Sequence, residues 1–363
     1  MLAALGRGTE VYLFLIGMMA LAAYAQLAGI FDWIAAGALR IAGPSRARLF
    51  VLVYAAGIGT TALLSNDATI VALTPAVIRA LRRHGAPPLP YLIACALVAN
   101  AASFVLPISN PANLLVFANR MPSLGTWLRA FGLPSLAALG VTFAIAWWCF
   151  RGDLAGNAAH VDADGGGTPA PFAVGLLAAA AAVIVFTSAR AGPLGAATFA
   201  CGAVAWLATA LRDRAGAGTI AREISWRIVG LTALLFVIVS AVDRAGGFAV
   251  SRDVLTWCEH LAAPWSALAI GFTVTFAANA INNLPVGLNL GETLPAVHAG
   301  MHAAKAALIG VNLGANATVN GSLATLLWLS ILRREGIALP PLAFARVGLL
   351  TVIPALAAAL VLI

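Results

Sequence analysis

Polar side chains interrupt four apolar segments of this chain, at residues 65–67, 107–113, 279–285 and 312–322. Amides and hydroxyls in apolar surroundings cost free energy unless they are hydrogen-bonded. Where such groups break a membrane helix beside a cavity, the freed backbone and side chains can bind a polar substrate. The expected substrate-binding residues are Ser65, Asn66, Ser109, Asn110, Asn113, Asn282, Asn283, Asn316, Thr318, Asn320 and Ser322.

Asp67 is the ionisable residue at the first interruption. A carboxylate at the centre of a bilayer costs on the order of 3 kcal/mol and is by default functional. Asp67 could hold a cation or carry a proton, and capping a helix within the same turn is compatible with either role. For any single amide or hydroxyl the alternative is a helix cap or an interhelical bridge, whereas the duplicated set favours a binding site.

The composition excludes an ordinary soluble domain, since 62% of the residues are hydrophobic and 9% are charged. Apolar runs of about 17 to 25 residues recur, which is the length that crosses a bilayer as a helix. The alternation of a membrane β-barrel is absent from the sequence. We therefore predict an all-α polytopic membrane protein with about eight full spans.

The order of segments predicts an inverted-repeat transporter with two re-entrant helical hairpins and two discontinuous helices. Gly29 and Gly246 lie 217 residues apart, as do Asn66 and Asn283. The apolar runs around the first hairpin tip have about 14 to 16 residues each, which is short for a full span. The predicted first repeat is 1–150, with an interfacial helix at 29–43, a hairpin at 48–82, a broken helix at 91–118 and a span at 127–150. A linker with two spans follows at 151–227. The predicted second repeat is 228–363, with a hairpin at 265–298 and a broken helix at 306–331.

The formal charge of +8 comes from 21 basic residues against 13 acidic ones. In a membrane protein such an excess marks cytoplasmic loops rather than a nucleic-acid surface, and we expect no nucleic-acid partner. Most of the basic residues, among them Arg82, Arg83 and Arg212, fall in loops on the side of the first hairpin. We therefore expect a multi-pass protein of the cell inner membrane, with that side in the cytoplasm and both termini outside.

Other chemistry has little support in the sequence. His298 and His302 have the spacing of two metal ligands on a helix, but their polar neighbours favour a solvated surface. The four cysteines are scattered and favour buried thiols over a metalloid site. Nucleotide-binding motifs and catalytic triads are absent from the sequence. We expect no cofactor, no resident metal and no catalysis of covalent chemistry.

Three motifs, at residues 64–68, 281–285 and 321–329, resemble those of the arsenite/antimonite efflux permeases of the ArsB type. That family belongs to the ion transporter superfamily, with sodium/proton antiporters and dicarboxylate carriers. The resemblance implies export of arsenite or antimonite in exchange for protons, by an elevator-type movement against a scaffold that often forms a homodimer. Some relatives work with a soluble ATPase subunit. Asn316 stands where relatives often carry a lysine.

Two other functions remain open from the residues. A sodium-coupled anion or dicarboxylate carrier, or a sodium/proton antiporter, would have the same architecture, with Asp67 and the carbonyls of the broken helices binding sodium. Helix N-termini can bind anions, so the lack of basic residues at the tips argues only weakly against an anionic substrate. A membrane receptor without transport activity gives no reason for the duplicated breaks.

Overall fold

The computed structural model describes residues 6, 8–117, 120–158 and 167–363. Over these ranges the regular elements are helices, apart from an isolated bridge between Ser45 and Asn157. Among the described residues, six helical stretches are long and apolar enough to cross a membrane, and shorter apolar helices accompany them. The prediction of an all-α polytopic membrane protein is confirmed. Part of the predicted linker, 159–166, lies outside the described residues.

Eighteen α-helices follow one another along the described part of the chain. Those of the first part are α1 (Thr9–Leu27), α2 (Ile30–Ala42), α3 (Arg46–Leu64), α4 (Asn66–Ala68), α5 (Thr74–His84), α6 (Leu89–Ala101), α7 (Pro111–Phe117) and α8 (Leu124–Leu154). A π-helical turn, Thr69–Leu73, joins α4 to α5. Those that follow are α9 (Pro171–Ala189), α10 (Leu194–Ala210), α11 (Arg214–Glu223), α12 (Trp226–Arg244), α13 (Ala249–Glu259), α14 (Trp265–Ile281), α15 (Asn283–Ala296), α16 (Met301–Leu313), α17 (Leu323–Arg334) and α18 (Pro341–Leu360).

The two predicted hairpin tips are helix breaks with the same backbone. Ser65 has a φ of 121° between α3 and α4, and Asn282 has a φ of 81° between α14 and α15. Each side chain caps the helix that follows, because Ser65 Oγ accepts from the amide of Ala68 and Asn282 Oδ1 from that of Leu284. Ser65 and Asn282 lie 217 residues apart, which is the spacing of the predicted repeat.

The helix before the first tip is longer than its apolar run. α3 has 19 residues and is long enough to cross a membrane, whereas the sequence led us to expect about 14 to 16. The difference arises at Ser45, whose hydroxyl accepts from the amide of Arg48 and starts the helix before the apolar residues begin. Re-entry of the hairpins into the membrane stays a prediction.

Each of the two segments predicted as discontinuous helices contains a 3-10 turn between two α-helices. The first passes from α6 through a 3-10 turn, Pro107–Ser109, to α7, and the second from α16 through a 3-10 turn, Gly314–Asn316, to α17. Asn110 caps α7 and Ser322 caps α17. These caps lie 212 residues apart, so Asn110 of the first break corresponds to Ser322 of the second.

Close helix crossings hold these elements in place. In the first half a Cβ at Gly57 on α3 would lie 2.3 Å from Val98 Cγ1 on α6. In the second half a Cβ at Gly310 on α16 would lie 3.1 Å from Val274 Cβ on α14. Val274 is 217 residues after Gly57, and Gly310 is 212 residues after Val98. The same crossing therefore occurs twice, with the glycine on the opposite partner.

A second group of helices packs beside this one. α1 lies along α10, and Gly17 allows the contact, since a Cβ there would lie 2.3 Å from the carbonyl carbon of Thr198. A Cβ at Gly202 would lie 2.8 Å from the carbonyl oxygen of Gly17. α11 and α12 also contact α1. These four helices form a frame against which the broken helices are placed, and the interface between the two groups contains the candidate site.

Candidate substrate site

The four helix starts meet at one small crevice. Asn66 at the start of α4, Asn110 before α7, Asn283 at the start of α15 and Ser322 before α17 all line it, together with Asp67. The first amides of a helix have no partner within the helix and give its N-terminus a partial positive charge. The crevice has a volume of about 10 Å³, which is close to the space of one water molecule. Five predicted site residues thus lie together.

Asp67 has an exceptional position among them. It lines the crevice and also a cavity of about 400 Å³ that extends from it. Among the described residues, its carboxylate has no hydrogen bond and no ion pair. The other charged residues that line the larger cavity are Arg222, Glu223 and Arg334, and none of them lines the crevice. The side chain is therefore free to bind a proton or a ligand.

A second cavity, of about 410 Å³, lies at the other end of the same interface. Its lining includes the carboxylates of Glu10 and Glu292 and the apolar side chains of Leu115, Phe236 and Leu288. Glu10 Oε2 accepts from the amide of Gly195 at 2.8 Å. The cavity lies between the frame helices α1 and α12 on one side and α7 and α15 on the other.

Helix α1 sets the order of the three spaces. Val11 lines the cavity of 410 Å³, Leu15 the crevice, and Met18, Ala22 and Gln26 the cavity of 400 Å³. These residues recur at helical spacing along one face of α1. The crevice therefore lies between two cavities, which together trace a path along α1 that narrows at the polar residues.

Several predicted site residues of the first half do not reach the crevice. Ser65 lines the cavity of 400 Å³ instead. Ser109 donates to the carbonyl of Ala62 at 3.3 Å and accepts from the amide of Leu106, so it ties the first break to α3. Asn113 is fully buried and donates to backbone carbonyls of the break, including that of Ser103 at 2.8 Å. These groups shape the break from within.

The second half shows the same division. Asn316 donates to the carbonyl of Leu97 at 2.7 Å, and Thr318 donates to Asn279 Oδ1 at 2.8 Å. Asn320 is exposed, and its carbonyl accepts from Asn282 Nδ2 at 2.9 Å, so Asn282 joins the second tip to the second break. None of these four predicted site residues lines the crevice.

Sequence reasoning missed three amides that hold the breaks in place from outside the crevice, namely Asn100, Asn279 and Asn312. Asn100 and Asn312 are fully buried and connect the two breaks to each other. A signal exists in their spacing, since Asn100 precedes Asn110 by ten residues and Asn312 precedes Ser322 by ten. An Asn at the same distance before each cap indicates a shared structural role, which is to connect the two breaks.

Apolar spanning helices, duplicated helix breaks and a polar crevice between two cavities define a membrane transporter. The chain belongs to the citrate transporter family, whose model, described as "CitMHS: Citrate transporter", matches residues 2–311. The family and the relatives below are transporters, in agreement with the expectation of a multi-pass membrane protein that moves a small solute.

The curated relatives include arsenical pumps. The chain is 27% identical over 344 residues to an "Arsenical pump membrane protein" of Yersinia enterocolitica, a match that covers 90% of this chain and 80% of the relative. The protein of the same description from Escherichia coli (strain K12) is 26% identical over 347 residues, with the same coverage. The resemblance of the motifs to arsenite/antimonite permeases is confirmed.

Two further matches are informative. A stretch of 102 residues, 28% of this chain and 21% of the relative, is 31% identical to the "Silicon efflux transporter LSI3" of Oryza sativa subsp. japonica. The YdaH transporter of Alcanivorax borkumensis has a similar structure, with a TM-score of 0.63 over 99% of this chain and 86% of that one. At 14% identity this structural match shows the fold alone.

Proposed function

We propose that the protein exports arsenite or antimonite across the inner membrane in exchange for protons. The arsenical pumps among its relatives support this, since their similarity extends over 90% of the chain. The cavity that contains Asp67 would open to the cytoplasm, because Arg222 and Arg334 line it and basic loops stay on that side. The cavity of 410 Å³ would then open to the outside.

The chemistry of the crevice supports a small uncharged hydroxide as substrate. Arsenic(III) in water near pH 7 is a neutral trihydroxide, whose O–H groups donate hydrogen bonds and whose oxygens accept them. The helix starts supply N–H donors. The Asp67 carboxylate and the buried, unpartnered Oδ1 of Asn66 supply acceptors. Because the crevice has room for about one water molecule, a trihydroxide would have to extend from it into the adjoining cavity of about 400 Å³, which Asp67 also lines. A ligand with several O–H groups would satisfy both kinds of protein group at once.

The match to a silicon transporter supports the same class of substrate. Silicon in neutral water is also an uncharged hydroxide, so a site that binds one such molecule has the hydrogen-bonding groups for the other. The observation that carries the proposal is the position of Asp67, a carboxylate without a charged partner among the described residues, between the crevice and the larger cavity. There it can exchange its proton as the substrate enters or leaves.

An elevator-type movement would bring the crevice alternately to the two sides. The close crossing of α1 with α10 supports a rigid frame. The first break is bonded to α3 of its own hairpin through Ser109, and the second break to its own hairpin tip through Asn282. The crevice lies where Leu15 and Ile228 of the frame face the broken helices. The homodimer and the soluble ATPase subunit rest on the family resemblance alone.

A sodium-coupled carrier of citrate or another carboxylate is the second candidate. The family description favours it, and four helix starts around one crevice would stabilise an anion. Against it, no lysine or arginine is among the described residues that line the crevice. Transport of arsenite without sodium, together with no transport of citrate, would exclude this candidate.

Uptake of arsenite into everted membrane vesicles tests the proposal. With an acidic interior, wild-type vesicles should accumulate arsenite, and Asp67→Asn should lower the initial rate at least about tenfold, equal to about 1.4 kcal/mol. Glu223→Gln is the matched control, since it removes a carboxylate from the same cavity outside the crevice. Unchanged uptake by Asp67→Asn would remove Asp67 from the mechanism, and no uptake by wild type would refute the proposed function.

A further inference from the structure

Three buried amides connect the first break to the second. Asn312, on α16, donates from Nδ2 to Asn113 Oδ1 at 2.9 Å and to the carbonyl of Leu308 at 3.0 Å. Asn312 Oδ1 accepts from Asn110 Nδ2 at 2.7 Å. Asn110, Asn113 and Asn312 are each at most 1% exposed. These bonds therefore lie away from water and fix the groups they join.

Backbone carbonyls determine which way each amide points. Asn113 Nδ2 faces the carbonyls of Ser103, Leu106 and Pro107, which can only accept, so Asn113 Oδ1 must face Asn312. Asn312 then donates with Nδ2, and its Oδ1 must face Asn110. The orientation of Asn312 is thus set by groups that cannot reverse their roles.

Asn110 is the member of this hydrogen-bonded group that lines the crevice. Its Oδ1 accepts from the amide of Ala112 at 2.9 Å, and its Nδ2 donates one hydrogen to Asn312. An amide nitrogen carries two hydrogens, so a second donor remains. Because Asn110 lines the crevice, that donor is the group it offers to a ligand there. The cap bond to Ala112 keeps Oδ1 on the backbone amide, and the bond to Asn312 fixes the direction of the Nδ2 hydrogens. Without Asn312, the cap bond alone would hold the side chain, and the direction of its free N–H donor would no longer be set.

In the second half a buried amide also connects the two breaks, but it does not hold a residue that lines the crevice. Asn100, the counterpart of Asn312, donates to Thr325 Oγ1 at 3.2 Å and to Asn316 Oδ1 at 3.0 Å. Ser322, the counterpart of Asn110, is shorter, and Asn100 Oδ1 has no partner among the described residues. Asn100 therefore joins the breaks but holds no residue that lines the crevice.

We propose that Asn312 is a positioning residue for substrate binding, which holds Asn110 so that position 110 offers an N–H donor and selects a ligand with an oxygen acceptor. This inference rests on the proposed function for its substrate. It assigns to Asn312 an effect on affinity that Asn100, equally buried and bonded across the same interface, does not have.

Arsenite uptake into everted vesicles tests this with Asn312→Leu and the matched control Asn100→Leu. Losing one oriented hydrogen bond should raise the KM of Asn312→Leu about fivefold, with Vmax within about twofold. Asn100→Leu should lower thermal stability to a similar extent and leave KM unchanged. Equal changes in KM for the two variants would overturn the proposal, because Asn312 would then be merely structural.

A double-mutant cycle with Asn110→Ser isolates the connection. Serine keeps the cap of α7, so this variant should fold, and it should show the raised KM by itself. In that background Asn312→Leu should add no further rise in KM, whereas additive effects would show that Asn312 acts by another route. If Asn312→Leu does not fold, a KM of Asn110→Ser equal to that of wild type overturns the proposal.

Amide hydrogen exchange of the purified protein without substrate separates this inference from the proposed function. Exchange at Ala112, whose amide Asn110 caps, should be faster in Asn312→Leu than in wild type and unchanged in Asn100→Leu. If wild type takes up no arsenite, the proposed function fails and the exchange result decides alone. Equal exchange at Ala112 in wild type and Asn312→Leu would then overturn the role of Asn312.

Discussion

Asp67 and Leu284 lie 217 residues apart, each two residues after the strained turn of its hairpin, and both line the central crevice. The backbone around them is nearly the same, since Ser65 and Asn282 share an uncommon conformation and both cap the helix that follows. The side chains differ completely, because one half presents a carboxylate and the other an apolar group. Geometry is thus shared between the halves, while the charge belongs to the first.

The largest effect is expected from moving the carboxylate from the first half to the second. We expect Asp67→Leu with Leu284→Asp to retain the fold and to lose pH-driven arsenite uptake by at least about tenfold. The reason is that Leu284 does not line the cavity of 400 Å³, so a carboxylate there lacks the route that Asp67 has. Uptake near the wild-type rate in everted vesicles would show that the halves are interchangeable.

A smaller effect is expected from relieving the backbone strain at the two hairpin turns. Ser65 and Asn282 lie in a region of φ and ψ that is populated almost only by glycine, at a cost of about 1 to 3 kcal/mol each. We expect Ser65→Gly to stabilise the protein by about 1 kcal/mol, because the strain relieved exceeds the loss of a long cap bond of 3.4 Å.

Asn282→Gly should gain less stability or lose some, because it also removes the bond from Asn282 Nδ2 to the carbonyl of Asn320. Thermal unfolding in detergent measures both variants, and wild type is the reference. Equal shifts in Tm for Ser65→Gly and Asn282→Gly would show that the bond from Asn282 to Asn320 contributes nothing to stability. That result would contradict a role for Asn282 in joining the second tip to the second break.

The smallest difference between the halves lies at the surface. Asp32 on α2 pairs with Arg79 on α5 at 2.7 Å, and the positions 217 residues later are Ala249 and Ala296. The side chains are 43% and 46% exposed, so Asp32→Asn should cost no more than about 0.5 kcal/mol of unfolding free energy. A loss of 2 kcal/mol or more in denaturant titration would show that this pair holds the first hairpin in place.

Much of the fold follows from the sequence, because apolar length and interrupting polar residues are local properties. The breaks at 65–67 and 312–322 could be placed for that reason. The start of α3 could not be placed from the sequence, because the charged residues Arg46 and Arg48 stand before the apolar run begins. In the structure both lie inside the helix that Ser45 caps. Helix capping therefore extended an element beyond its hydrophobic boundary.

The candidate site was predicted as a set of residue types, and the structure divides that set. Asn66, Asp67 and Asn283 line the crevice, whereas Asn113 and Asn316 are buried in bonds that shape the breaks. The sequence could not separate them, because all are polar groups in apolar segments. Their roles depend on neighbours about 200 residues away, as in the bond from Asn312 to Asn113.

The small crevice between the two large cavities has a consequence for how fast a solute could cross. A volume of about 10 Å³ has room for about one water molecule between spaces of about 400 and 410 Å³, so a solute of several heavy atoms cannot pass it in this conformation. On the proposed mechanism each solute would therefore cross at the pace of a conformational cycle, from microseconds to seconds, rather than at the pace of diffusion through a pore.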